Sequence, residues 1–176
     1  PCWRDTPFIT GLVCDLCGVP LLGEDDGTTV HCDACLAAAR PWSRGRAAMR
    51  YDGNGRRLVL ALKHGDRHDI VRPAARWLAR SAAPIQVPGM VIAPVPLHWT
   101  RLLARRFNQS AVLAQALARE TGMPVVPDLL LRQKRTQSLN GLDPDARHAT
   151  LDAAISVNPR HKDRIEGAQI LLVDDV

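Results

Sequence analysis

The segment ILLVDDV, residues 170–176, decides the fold class of this chain: four apolar residues without alternation precede two adjacent carboxylates. Such a run is typical of a strand covered on both faces, as in the parallel sheet of an α/β domain. Ligands of these sheets bind outside the carboxyl ends of the strands. We therefore expect Asp174 and Asp175 at a binding edge, where carboxylates can accept hydrogen bonds from vicinal sugar hydroxyls or hold Mg²⁺.

The sequence before this segment alternates predicted helices with predicted strands. Apolar spacing and turn residues predict helices over residues 56–63, 70–82 and 110–121, and strands over 91–97, 125–131 and 155–157. Residues 132–141 lack apolar periodicity and are predicted to form a mobile loop, with a short helix near residues 143–148. The alternation predicts a mostly parallel sheet flanked by helices.

Composition limits the classes of protein to consider. The 176 residues are 46% apolar but only 4% aromatic, which suffices for one medium domain with a small appendage. There is no apolar run near 18 residues and no signal-peptide pattern, so we expect a cytoplasmic protein without membrane insertion. The 23 Lys and Arg against 18 Asp and Glu give a net charge of +5, which favours polyanionic partners only weakly.

Four cysteines form two Cys-x-x-Cys pairs near the start of the chain: Cys14, Cys17, Cys32 and Cys35. Each pair can direct two sulfurs at one metal, so together they predict a tetrahedral Cys₄ zinc site with a structural role. The alternatives are a disulfide pair in a secreted domain or unrelated thiols. A composition break near residues 40–47 places a zinc ribbon over residues 1–45 and a second domain over 46–176. Cys2 belongs to neither pair and is either part of a further Cys-x-x-Cys turn or a lone thiol.

A basic stretch follows the predicted strand 91–97, whose two prolines mark a rigid corner. We expect residues 98–109 to form a basic loop leading into the next helix, a geometry suited to binding phosphate or pyrophosphate. Arg101, Arg105 and Arg106 supply charge, and Asn108 and Gln109 supply neutral donors. The alternative is a solvated arginine-rich stretch. Lys63, at a predicted helix end, either compensates the helix dipole or binds phosphate.

Taken together, these segments resemble the ComF family of phosphoribosyltransferase-like competence proteins. The resemblance rests on the cysteine pairs and on six further motifs in family order: YDG at 51–53, LKHG at 62–65, PVPLH at 94–98, RRFNQ at 105–109, RT at 135–136 and LLVDDV at 171–176. These motifs span nearly the whole chain. Within RRFNQ, Arg106 stands where the family usually has glycine.

The resemblance implies a type I phosphoribosyltransferase-like fold that recognises 5-phosphoribosyl 1-pyrophosphate (PRPP) with Mg²⁺. Asp174 and Asp175 match the acidic pair expected on the ribose hydroxyls, and residues 97–109 match the pyrophosphate loop. The full set of expected PRPP-binding residues is Asp174, Asp175, His98, Arg101, Arg105, Asn108, Gln109 and Lys63. In this superfamily the loop that cradles the 5′-phosphate follows the acidic pair, so we expect the second domain to be incomplete in this sequence.

Three hypotheses for function follow. The first is a PRPP-binding, transferase-like protein that acts in DNA uptake; if it is an enzyme, its class is pentosyl transfer. The second is a DNA-handling accessory whose zinc ribbon docks single-stranded DNA or a competence helicase, with Arg44, Arg46, Arg50, Arg56 and Arg57 as a basic track. The third is a zinc-stabilised α/β scaffold without a small ligand. The sequence identifies neither the acceptor nor the oligomeric state.

Overall fold

The computed structural model of the chain describes residues 5–64, 67–134 and 154–176. Two compact units are present, one of residues 1–86 with Val176 and one of residues 87–175. The predicted ribbon boundary at residue 45 falls inside the first unit and stays a prediction. The predicted helix near residues 143–148, most of the predicted loop and the motif at residues 135–136 lie outside the described residues.

The first unit combines the cysteine segment with two longer helices. Helix α1 spans Asp33–Ala37, α2 spans Gly53–His64 and α3 spans Val71–Ala82, with 3₁₀ turns at His68–Ile70 and Ala83–Ile85. Isolated antiparallel bridges join Val13 to Pro20 and Phe8 to Met49. The helical spacing of the sequence predicted α3 within one residue. Helix α2 begins three residues earlier than predicted, because Arg56 N–H already bonds Asp52 C=O at 3.0 Å.

The second unit alternates strands and helices. Its elements are β1 (Val91–Pro94), α4 (Trp99–Arg105), α5 (Gln109–Thr121), β2 (Leu130–Arg132), β3 (Ile155–Val157), a 3₁₀ turn (Pro159–His161), α6 (Lys162–Ile165) and β4 (Ile170–Val173). Strand β1 pairs with β4 in parallel, with Val91 opposite Ile170 and Pro94 opposite Val173. A parallel bridge joins Ile92 to Val125, whereas β2 and β3 pair antiparallel. The α/β class is therefore confirmed, with a small parallel sheet.

The core of the second unit lies around β1. Ile92 and Ala93 are fully buried, and Val126 and Leu129 are buried as well. Helix α5 contributes Leu113, Ala114 and Leu117 to the buried set. The expectation that β4 is covered on both faces was wrong in part, since Leu172 is 56% exposed among otherwise buried or half-buried β4 residues. An uninterrupted apolar run therefore does not by itself establish burial of both faces.

Part of the basic stretch after β1 is helical, which corrects the prediction of a loop over residues 98–109. His98 provides the N-cap of α4, since its imidazole accepts a hydrogen bond from Thr100 N–H. Arg106 ends the helix in the left-handed region at φ +64°. The segment WTRLLAR between them consists mostly of good helix formers, which explains the short helix. In the described part of the chain, no helix is both long enough and apolar enough to cross a membrane.

Candidate metal centre and strand-end site

The four paired cysteines converge in the first unit. Their sulfur atoms all lie within 4.8 Å of one another, and Cys14 and Cys35 are buried. Each pair sits in a tight turn: Gly18 N–H bonds Cys14 C=O at 2.8 Å, and Cys35 N–H bonds Cys32 C=O at 2.9 Å. All four side chains are free thiols. The alternative of a disulfide framework is therefore not what the structure shows.

This donor set fits a tetrahedral zinc ion, because four thiolates on two knuckles are the ligands that closed structural zinc sites use. Burial opposes a charge on Cys14, but hydrogen bonds from the backbone of Cys32, Cys17 and Leu16 and from the Cys17 thiol outweigh it and lower the Cys14 pKa to about 6. Burial raises the pKa of Cys17 to about 12, and contacts with the other thiols act in the same direction. A divalent cation at this position would supply the charge that stabilises the thiolates.

The Asp15 carboxylate lies within the first cysteine turn and binds the segment that follows the second cysteine turn. Asp15 accepts hydrogen bonds from Arg44 Nε at 2.9 Å and from the Nη2 atoms of Arg44 and Arg46. The Arg44 hydrogen bond, helped by Arg46 and opposed by burial, lowers the Asp15 pKa from its ordinary 3.8 to about 2. Gly18 and Gly45 permit this contact, since a Cβ atom at either position would lie within 2.8 Å of the facing backbone. Sequence reasoning did not identify Asp15 as a structural residue.

The carboxyl ends of β1 and β4 form the second candidate site. The two strands stay paired past their ends, where Val95 N–H bonds Val173 C=O at 3.0 Å. Asp174 follows directly and accepts a hydrogen bond of 2.7 Å from Ser110 Oγ and one of 2.9 Å from Asp175 N–H. The acidic pair therefore stands where open parallel sheets bind ligands, next to the amino terminus of α5.

The start of α5 is built by two of the residues expected to contact PRPP. Asn108 is the N-cap: its Oδ1 accepts from Ser110 N–H at 3.0 Å, and its Nδ2 donates to Val95 C=O at 3.1 Å. Gln109 is 1% exposed. The Asn108 side chain thus serves the local structure, and the predicted contacts of both residues with PRPP stay predictions. Ser110 was missed as a site residue, although a serine two residues past an N-cap is one signal that could have identified it.

The remaining expected PRPP-binding residues occupy different positions. His98 is buried and caps α4, with its Nδ1 2.8 Å from Thr100 Oγ1. Arg101 and Arg105 belong to α4 by their backbone, and their side chains lie outside what the structure describes. Lys63 is half-buried on α2 of the first unit. The structure therefore brings Asp174, Asp175 and Asn108 together around Ser110, and the binding roles of all eight residues stay predictions.

Arg106 occupies a backbone conformation that favours glycine. It has φ +64° and stands alone as a non-glycine residue with positive φ in the described ranges. A side chain in this region costs roughly 1–2 kcal/mol because its Cβ crowds the following carbonyl oxygen. The glycine usual in ComF-like sequences at this position thus has a backbone explanation, and Arg106 adopts the same conformation.

Comparison with known proteins supports the resemblance over most of the chain. The DNA utilization protein YhgH of Salmonella typhimurium is 29% identical over 170 residues, which cover 93% of this chain and 71% of that protein. YhgH of Escherichia coli K12 is 28% identical over the same length. Competence protein F of Haemophilus influenzae is 29% identical over 152 residues, which cover 83% of this chain and 66% of that protein.

No family model matches the chain, and no solved structure matches it. The alignment with the YhgH proteins nevertheless covers 93% of the chain. The resemblance predicted from the cysteine pairs and the six further motifs is thereby confirmed, since the chain is similar to relatives named competence protein F and DNA utilization protein YhgH.

Proposed function

We propose that this chain is a PRPP-binding, phosphoribosyltransferase-like protein that acts in the uptake or utilization of DNA. The names of its relatives, DNA utilization protein YhgH and competence protein F, support the DNA-related role. One observation carries the proposal of a ligand site: the Asp174 carboxylate, at the carboxyl end of β4, bonds Ser110 Oγ at the amino terminus of α5. This contact brings an acidic pair and a helix amino terminus to one edge of the sheet.

The acidic pair and the helix amino terminus at this edge suit the ribose and the pyrophosphate of PRPP, respectively. Carboxylates accept hydrogen bonds from vicinal hydroxyls, which suits Asp174 and Asp175 to the ribose. The amino terminus of the 13-residue α5 carries a partial positive charge and suits the pyrophosphate. Arg101, Arg105 and Arg106 on and after α4 would add charge from guanidinium groups, which bind phosphate oxygens in bidentate fashion.

Magnesium would enter this site with the ligand. Among the described residues, groups of three or more side chains able to hold a metal are limited to the four cysteines. Mg²⁺ commonly binds through one or two carboxylates together with substrate phosphates and water. Asp174 and Asp175 would therefore hold the ion only when pyrophosphate oxygens complete its shell.

For turnover, we propose transfer of the 5-phosphoribosyl group. The bond between ribose C1 and the pyrophosphate oxygen breaks, the electron pair leaves with pyrophosphate, and the acceptor's lone pair forms the new bond at C1. The arginines and the helix terminus would stabilise the departing charge, and bound Mg²⁺ supplies further electrostatic stabilisation. The described residues present no evident general base. PRPP binding without turnover is compatible with the same site.

Isothermal titration of the full chain with PRPP, with and without Mg²⁺, tests the ligand. We expect binding that requires Mg²⁺ and weakens about 10- to 100-fold in Asp174→Asn, since hydrogen bonds to charged groups contribute about 1.5–3 kcal/mol. Ser110→Ala, which retains the carboxylate but removes its 2.7 Å partner, should weaken binding less. Asp163→Asn, on an exposed position of α6, is the control. No binding at millimolar PRPP would refute the proposal.

We also propose that the four cysteines hold a structural zinc ion. The convergence of their sulfurs within 4.8 Å supports this assignment. Elemental analysis of the purified chain should give one zinc per molecule. A chain that folds with no bound metal would contradict the assignment.

The second candidate function is a nucleic-acid contact on the first unit, and the exposed Arg56 and Arg57 on α2 favour it. The proposed track is smaller than the sequence indicated, because Arg44 and Arg46 bond Asp15 and Arg50 pairs with Asp52 at 3.1 Å. A labelled single-stranded oligonucleotide should bind more weakly as salt rises, and charge reversal of both exposed arginines should abolish binding. Unchanged binding in that double variant would exclude this surface.

A further inference from the structure

The segment of residues 40–42 contacts both cysteine knuckles and is here called the strap. At one end, Arg40 Nε donates to Cys35 Sγ at 3.3 Å, and Arg40 Nη2 donates to Ala34 C=O at 3.4 Å. Both acceptors belong to the second knuckle. Arg40 is half-buried and Cys35 is 6% exposed, so this hydrogen bond is partly shielded from water.

At its other end, the strap contacts the first knuckle. Trp42 Nε1 donates to Leu16 C=O at 2.6 Å, and Leu16 lies between Cys14 and Cys17. The Arg40 guanidinium carbon stands 5.9 Å from the centroid of the Trp42 ring, within reach of a cation–π attraction. Trp42 therefore restrains the guanidinium from one side while it is anchored to the opposite knuckle.

A donor in this position matters for the metal. Four thiolates and one Zn²⁺ together carry a net charge of about −2. A nearby cation that donates a hydrogen bond to a ligand sulfur therefore stabilises the loaded site. Groups that hydrogen-bond to metal ligands orient them and commonly change metal affinity about 10- to 100-fold. Arginine suits this role because it keeps its charge and offers several N–H donors in a fixed plane.

We propose that Arg40 is a positioning residue for the metal centre, which donates to the Cys35 thiolate and sets how tightly and how long the site retains its ion. Trp42 holds Arg40 in that position. This inference rests on the proposed zinc binding. It assigns to residues 40–42 a function that the spacing of the cysteines does not indicate.

The test measures the transfer of zinc from the full-length chain to a chromogenic chelator, both at equilibrium and as a rate. We expect Arg40→Met, which retains much of the stem but loses charge and donors, to bind zinc about 10- to 100-fold more weakly and to release it faster. Arg40→Lys should recover part of the loss. Trp42→Phe retains a ring but loses the hydrogen bond to Leu16, so its zinc affinity and release rate should lie between those of wild type and Arg40→Met.

A second readout separates positioning from general destabilisation. In the cobalt-substituted chain, the sulfur-to-cobalt charge-transfer absorption should shift in Arg40→Met. It should stay unchanged in Arg50→Met, because the exposed Arg50 pairs with Asp52 and not with a cysteine. Zinc retention and a cobalt spectrum equal to wild type in Arg40→Met would overturn the inference, even if the wild-type chain binds zinc. A wild-type chain without affinity for zinc would instead refute the proposed metal site.

Discussion

The two candidate sites differ in how far apart in sequence their residues lie. The cysteine cluster gathers four ligands from residues 14–35, with two ligands in each tight turn. At the strand ends, Asp174 meets Ser110 across 64 residues, and the contact needs β1, α5 and β4 in place. The first site is thus encoded by local spacing, whereas the second depends on strand pairing and caps.

The largest expected effect comes from removing a metal ligand. Cys32→Ser should lose bound metal and unfold the segment around residues 14–46, because structural zinc contributes about 10–16 kcal/mol to the folding of such small modules. Hydrogen exchange should show lost protection there but retained protection in β1 and β4, whose pairing uses no thiolate. Metal content and exchange by mass spectrometry provide the measurement.

Cys2→Ser is the matched control for that variant. Cys2 lies outside the described residues, and four thiolates already complete a tetrahedral site, so we expect unchanged metal content. Retention of metal and protection in Cys32→Ser would contradict the view that the metal holds this segment together.

Asp15→Asn should have the next largest effect. Because two arginines lower the Asp15 pKa to about 2, the carboxylate contributes stability above about pH 4, and this contribution is lost as the pH falls toward 2. At neutral pH the substitution should lower the free energy of unfolding by about 2 kcal/mol. Urea unfolding of the metal-loaded chain measures this difference.

Asp52→Asn is the control for Asp15, since it removes another Asp–Arg pair whose side chains are 48% and 63% exposed. Exposed pairs contribute about 0–1 kcal/mol, so this variant should stay near wild type. Equal losses in the two variants would show that burial of the Asp15 pair has no special effect.

Asn108→Ala tests the strand-end region. The change removes the N-cap of α5 and the bond to Val95, and should lower the free energy of unfolding by about 1–2 kcal/mol. It should also weaken the proposed PRPP binding, because the amino terminus of α5 frays. Gln115→Ala, on the exposed face of the same helix, is the control. An undiminished stability would mean that the strand pairing alone positions this helix.

The smallest effect is expected at the exposed carboxylate of Asp128. Its hydrogen bond with His161 Nε2, at 2.8 Å, lowers the Asp128 pKa. Asp128 therefore stabilises the fold above its unfolded pKa of about 4 and ceases to do so as the pH falls through its lower folded pKa. Thermal unfolding from about pH 6 to about pH 3 should show a slightly smaller loss of stability with falling pH in Asp128→Asn than in wild type. A dependence equal to wild type would contradict this assignment.

Local patterns predicted the individual elements well. Helical spacing located α3 and α5 within one residue, and the apolar segments located β3 and β4. Strand β1 ends at Pro94 rather than at the predicted residue 97, and β2 begins at Leu130 rather than at the predicted residue 125. The basic stretch was predicted as a loop because its charges obscured the short apolar pattern of α4. The cap that starts this helix is a histidine, which is a less common N-cap than serine or asparagine.

The sites were predictable to different degrees for a physical reason. Cysteine spacing identified all four converging thiols, since two ligands per turn need little information from the rest of the fold. The roles of Asp15 and Ser110 were missed, because each depends on a partner 29 to 64 residues away. No local spacing specifies such a partner.

Sequence alone determined that this chain has two cysteine knuckles, an α/β alternation and an acidic pair after an apolar strand. Only the tertiary structure decided that β4 pairs in parallel with β1, that Asp174 bonds Ser110, and that Arg40 reaches Cys35. Residue spacing is informative over a few positions, because local backbone geometry fixes which nearby side chains can meet. Contacts across strands and between segments arise only when burial of the apolar core brings distant residues together.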